Sequence, residues 1–186
     1  WALARMASIS AVKHDSSEVR AGLLEYTTKI VERARPVLDH LTSKNIAMLS
    51  WAVASLHSNL GLVDEEAGVT KLLAAIGEKL AGVGLRGFQP GEIASIVWAL
   101  NKVNVRQAAF FAAFQTQLIT NGLRGYSTQD ISTILCAFAK TEYGSDALYN
   151  LLGDRAQSLA KDFNRSEKVM VQWAYSQLPH LTAPKL

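Results

Sequence analysis

The 186-residue chain has one cysteine, Cys136, so no internal disulfide can staple it and no Cys-x-x-Cys pair is available for metal or redox chemistry. A single thiol suits a reducing or disulfide-independent compartment. Long apolar runs are missing too. Stretches such as "IVWAL" at Ile96–Leu100 fall far short of the roughly 20 residues that a membrane-spanning helix needs. Charge of one sign is barely in excess, and a net charge of +3 permits an anionic partner without demanding one. The four histidines, His14, His40, His57 and His180, lie too far apart for a local ligand pair, so neither a metal site nor a cofactor is expected. What remains is 49% apolar and 19% charged, enough to bury a core without a staple.

That apolar content is distributed periodically. "GFQPGEIASIVWALNKV" at Gly87–Val103 returns as "GYSTQDISTILCAFAKT" at Gly125–Thr141, with the same physical character at nearly every position. An anchor of tryptophan followed by alanine occurs at Trp1, Trp51, Trp98 and Trp173, with Cys136-Ala137 in the fourth slot, giving spacings of 50, 47, 38 and 37 residues. The shorter intervals give the bare unit; the longer ones carry insertions, "SISAVKHDSSE" and "HSNLGLVDEE", expected as longer joints within the hairpin.

Ten residues before each anchor stands Leu41, Phe88, Tyr126 or Phe163, followed by a turn or cap signal and then by Asn45, Glu92, Asp130 or Glu167. That order marks helix starts, with an acid suited to the positive end of the helix dipole. Ile93, Ile96, Val97, Leu100 and Val103 then show the spacing of a helix with one buried face. First helices are expected to run from the cap to Leu56, Val103, Thr141 or Leu178. Second helices are expected over roughly Glu65–Gly82, Gln107–Asn121 and Asp146–Lys161, with an earlier one near Glu18–Arg35 that stops before Pro36. "GLRGF" and "GLRGY" serve as glycine C-caps. No segment alternates as a strand does.

The fold expected is therefore all-α: an α-solenoid of stacked helical hairpins with a 37–38-residue repeat. It forms a single domain over 1–186, with a partial unit at 1–40 and units beginning near 41, 88, 126 and 163. "WALARM" reads as helix interior, so an upstream segment is expected.

At "FQPGEIASIVWALNKV" and "YSTQDISTILCAFAKT" the sequence resembles the octotricopeptide repeat, a helical-hairpin unit marked by a Pro-x-x-x-hydrophobic-Ala-x-x-hydrophobic-Trp-Ala run. It is also similar to the heptatricopeptide version. Trp51-Ala52, Trp98-Ala99 and Trp173-Ala174 carry the likeness, whereas Cys136 and the two long intervals depart from it. The resemblance implies an organellar RNA-binding protein, mitochondrial with plastid as the alternative. A component of a mitochondrial ribosome contacting ribosomal RNA and neighbouring proteins is the most concrete form. The rival reading is a protein-only scaffold in a large organellar assembly.

If RNA is the partner, cations should recur at equivalent positions. Four residues after each anchor come Arg5, Ser55, Lys102, Lys140 and Gln177; two before each large apolar residue come Asp39, Arg86, Arg124 and Lys161. Arg5, Arg86, Arg124, Lys161, Lys102 and Lys140 are the candidate phosphate contacts, and Lys44 is a further candidate beside the cap. Helix C-termini attract the same cations with no ligand present. Asn45, Glu92, Asp130 and Glu167 are explained by capping. The tryptophans, with Phe110, Phe111 and Phe114, lie at helical spacing beside alanine and leucine, which places them in the core rather than as base-stacking platforms.

"GVGLRG" at Gly82–Gly87 matches a dinucleotide fingerprint in letters only, because it ends a helix instead of joining a strand to one. Cys136 in an anchor slot reads as an inert buried thiol. "DEE" at Asp64–Glu66 reads as dipole-matching acid, and the sequon at Asn164 doubles as a cap. No enzyme activity, small-molecule substrate or membrane contact is expected.

Overall fold

Capping hydrogen bonds start most of these helices, and two of the joints between them turn on glycine. The structure is a computed structural model whose described residues are 17–60 and 68–186. Among those residues eight α-helices and one 3-10 helix follow one another without a strand. They are α1 (Ser17–Ala34), the 3-10 helix (Arg35–His40), α2 (Ser43–Leu60), α3 (Val69–Val83), α4 (Pro90–Lys102), α5 (Ala108–Asn121), α6 (Thr128–Thr141), α7 (Asp146–Ser158) and α8 (Arg165–Ser176). The chain is all-α.

At α6 the Ser127 hydroxyl accepts the Asp130 N–H at 3.2 Å while the Asp130 carboxylate accepts the Ser127 N–H at 2.9 Å. Asn164 and Glu167 make the same reciprocal pair at α8, both bonds 3.0 Å. At α4 the Glu92 carboxylate takes the Gln89 N–H at 2.9 Å, and at α2 Thr42 Oγ1 takes the Asn45 N–H at 3.2 Å. Each bond satisfies a main-chain donor that the helix start would otherwise leave open.

The even-numbered helices pack each on the next, α2 on α4, α4 on α6 and α6 on α8; the odd-numbered ones do the same from α1 through α7. One hydrophobic core runs between the two series. Phe110, Phe111, Phe114 and Phe138 fill its centre, fully buried and in mutual edge and offset-stacked contact. Truncating any one of them would cost about 3–5 kcal/mol.

Boundaries differ from the sequence reading in places with a local cause. α1 does stop before Pro36, at Ala34, but a separate 3-10 segment with the proline in its first turn, where proline is tolerated, then carries the chain to His40. α2 runs one turn further than expected, to Leu60. α7 stops at Ser158 and Leu159–Asp162 form turns. α8 stops at Ser176, two residues before Leu178. The insertion near His14, most of that near Leu60, and the acids at Asp64–Glu66 lie outside the described residues.

Tyr175 ties α8 to α7. Its hydroxyl donates to the Tyr149 carbonyl at 2.6 Å, and a Cβ on Gly153 would meet the Tyr175 hydroxyl oxygen at 2.4 Å. Gly153→Ala is therefore expected to lower stability by about 1–3 kcal/mol. Glu142→Gly should raise it by roughly 1 kcal/mol, because Glu142 holds φ at 62° at the helix C-cap. Thermal and urea unfolding followed by circular dichroism reads both. Burial pushes the phenols of Tyr126, Tyr149 and Tyr175 up to about 12. The unfolded chain ionises these groups near 10, so their contribution is intact below pH 10 and disappears as pH rises towards 12. A tyrosinate absorbance titration should show these phenols ionising later than exposed ones, and Tyr175→Phe should remove one late phenol.

Candidate nucleic-acid interface

Two joints are built alike. In Gly84-Leu85-Arg86-Gly87 and Gly122-Leu123-Arg124-Gly125 both glycines hold positive φ, between 73° and 88°. The helix end is closed by Gly84 N–H to the Leu80 carbonyl at 3.0 Å and by Gly122 N–H to the Leu118 carbonyl at 2.9 Å. Leu85 and Leu123 are buried, and their neighbours Arg86 and Arg124 are exposed at the tip of the turn. Burying the leucine keeps the arginine in water. The joint at Leu159–Asn164 has no glycine and turns by successive short bonds, Ala160 N–H to Gln157 and Asp162 N–H to Leu159, with Lys161 exposed between them. At the first joint Asp39 occupies the equivalent position and is ion-paired with Lys79, which holds its carboxyl below the usual range.

Neighbouring even helices run parallel. A Cβ on Gly125, at the entrance to α6, would lie 3.5 Å from Pro90 at the start of α4. Trp51 of α2 stacks on Trp98 of α4, ring centres 6.4 Å apart, and Lys140 near the end of α6 donates to the Asn101 carbonyl near the end of α4 at 3.0 Å. The candidate cations therefore occupy opposite edges. Arg86, Arg124, Lys161 and Lys44 lie where even helices begin, and Lys102 and Lys140 where they end, about 20 Å away along a thirteen-residue helix. All six are exposed. Arg5 lies outside the described residues.

Between the two edges runs the least buried line of the even helices: Ser95, Trp98 and Lys102 on α4, Thr133, Cys136 and Lys140 on α6, and Met48 and Trp51 on α2. The tryptophans thus depart from the core placement inferred from spacing. Trp51 and Trp98 are half-buried and Trp173 is 43% exposed, whereas Phe110, Phe111 and Phe114 are fully buried as expected. The physical reason is that the alanine after each anchor takes the buried seat and the indole lies across the outer seam. Trp1 lies outside the described residues. Exposed cations that the sequence reading passed over share these edges: Arg35 and Arg165 with the arginine joints, Arg106 with Lys102. Arg165 directly follows the cap residue Asn164, and Arg35 and Arg106 stand at neither of the two repeat positions that carry the other cations.

Glu92, Asp130 and Glu167 sit on the same edge as the arginine joints. Their carboxylates are engaged in capping, which accounts for them without a ligand. Gly82 is helical and Gly84 closes α3, so "GVGLRG" forms no pyrophosphate-binding turn. Among the described residues no cluster of three metal-ligating side chains occurs, and no helix is long and apolar enough to cross a membrane. Burial pushes the Cys136 thiol up to about 11, and its Sγ donates to the Met170 carbonyl at 3.4 Å.

Compared with protein-family models, with curated proteins and with solved structures, the chain finds no match.

Cys136 should accordingly resist alkylation. At pH 8 its reaction with iodoacetamide is expected to be at least about tenfold slower than that of a free thiol, recovering to the free rate in denaturant. Asn164→Ala removes the side-chain acceptor at the start of α8 and should cost about 1 kcal/mol in urea unfolding.

Proposed function

We propose that the chain is an α-solenoid of stacked helical hairpins that binds RNA through the outer surface of its even helices and their two cationic edges. The repeat reading rests on the sequence period and on backbone geometry that recurs at the same interval. Gly84 with Gly122, Gly87 with Gly125, and Asn104 with Glu142 form left-handed pairs, each 38 residues apart. The observation that carries the binding reading is the arrangement of Arg86 and Arg124. Each is held at the tip of a glycine turn by a buried leucine, on one edge of a surface whose middle carries partly exposed indoles and whose far edge carries Lys102 and Lys140.

Such a surface suits a single strand or an irregular RNA, phosphates meeting the edges and bases meeting the indoles. Positioning by phosphates needs no cofactor and gives salt-sensitive affinity without sequence information. The octotricopeptide likeness supplies the setting. In it the chain is a structural component of a mitochondrial ribosome, or of a plastid counterpart, seated on ribosomal RNA beside other proteins.

One observation favours the protein-only scaffold instead. The capping carboxylates on the arginine edge offset part of its positive charge. Fluorescence anisotropy with a labelled single-stranded RNA separates the two readings. RNA binding predicts that affinity falls with salt and that the Arg86→Ala, Arg124→Ala double variant binds on the order of tenfold more weakly. Its log–log salt slope should be shallower by about 1.4, or roughly 0.7 per lost contact. Affinity indifferent to salt and to both arginines would remove the RNA reading.

A further inference from the structure

The last described helix carries a face that its predecessors cover. Aligned by anchor, Ile46, Ile93 and Ile131 of α2, α4 and α6 are all buried, and α8 has Lys168 there. Ala47, Ala94 and Ser132 are buried, and α8 has Val169, 57% exposed. Ser50, Val97 and Leu135 are buried, and α8 has exposed Gln172, next to Trp173. Arg165, Lys168, Val169, Gln172, Trp173 and Ser176 form one stripe at the 3, 4, 7 spacing. Its centre is apolar and aromatic and its margin polar, the make-up of a dissociable protein interface.

The residues that follow leave this stripe open. Gln177–Leu186 contains no helix and meets the start of α7, with His180 Nε2 2.9 Å from Asp146 Oδ1 and with Leu178 and Leu181 packed on the core. A further stacked even helix is a poor occupant, because the cation of Lys168 and the amide of Gln172 stand where the stacked helices carry buried isoleucine, valine, leucine or serine.

We infer that α8 pairs antiparallel with α8 of a second copy of this chain. In that register Val169 packs on the second copy's Trp173 and the reverse, so the apolar pair is self-complementary about a two-fold axis. Arg165 and Lys168 then lie beside the C-terminal turn of the facing helix. Alone among the even helices, α8 has no Lys, Arg or His in its own last turn, where α2, α4 and α6 have His57, Lys102 and Lys140. The facing copy supplies the charge that this helix end favours, and the four cations of the pair stay apart. A standard interface takes about 800 Å² from each partner over 20–30 residues. One twelve-residue helix offers much less, so the pair is reversible.

Sedimentation equilibrium of the 186-residue protein without nucleic acid tests this, and its result stands apart from the RNA reading. The mass is expected to rise towards that of a dimer with concentration. Trp173→Ala and Val169→Lys should each weaken association by on the order of tenfold or more with unchanged helical content. In a Cys136→Ser background, Gln172→Cys should form an inter-copy disulfide much faster than Gln157→Cys, which is exposed on α7. A mass that stays monomeric at every concentration overturns the inference. So does a dimer indifferent to both substitutions, or Gln172→Cys crosslinking no faster than the control.

Discussion

Close approach of one even helix to the next is the constraint on which the molecule depends. The residue after each anchor, Ala52, Ala99, Ala137 and Ala174, is essentially inaccessible to solvent. Ala99, Ala137 and Ala174 belong to the hydrophobic core, and a larger side chain at any of the four positions would overpack it at a cost of about 1–3 kcal/mol per site. The same approach brings Trp51 onto Trp98 and carries Lys140 to the main chain of α4. Dispersion across such a seam is weak atom by atom and large in sum.

The odd helices answer a different demand. They present large aromatic and aliphatic side chains, so the space between the two series is filled by rings in edge and stacked contact. Side-chain packing between successive odd helices is supplemented by hydrogen bonds such as Gln107 Nε2 to the Ala74 carbonyl at 3.4 Å and Ser145 N–H to Gln115 at 2.7 Å. These two bonds sit at successive odd-helix starts, and each reaches into the preceding odd helix.

The starts of α4, α6 and α8 are legible because each is written twice, once in the cap and once in the acid three residues on. Asp130 and Glu167 do what those letters imply. The glycine pairs in two joints were equally legible, since only a left-handed turn calls for them at that spacing. Leu159–Asp162 was not, because it turns without glycine or proline and reads as more helix. Trp98 departs from its expected core position for a related reason. Apolar periodicity finds the face of a helix that leaves water, but an indole is large enough to lie on its boundary, and alanine beside it is the buried member. Which edge a cation occupies depends on chain direction in three dimensions, so Lys102 and Arg86, similar in sequence setting, end on opposite sides.

Lys140 spends one of its three N–H donors on the Asn101 carbonyl, spanning the ends of two helices. The side chain is exposed, so the other two donors face water. One bond to the main chain thus tethers a long, flexible side chain at a fixed place on the surface while leaving its charge intact.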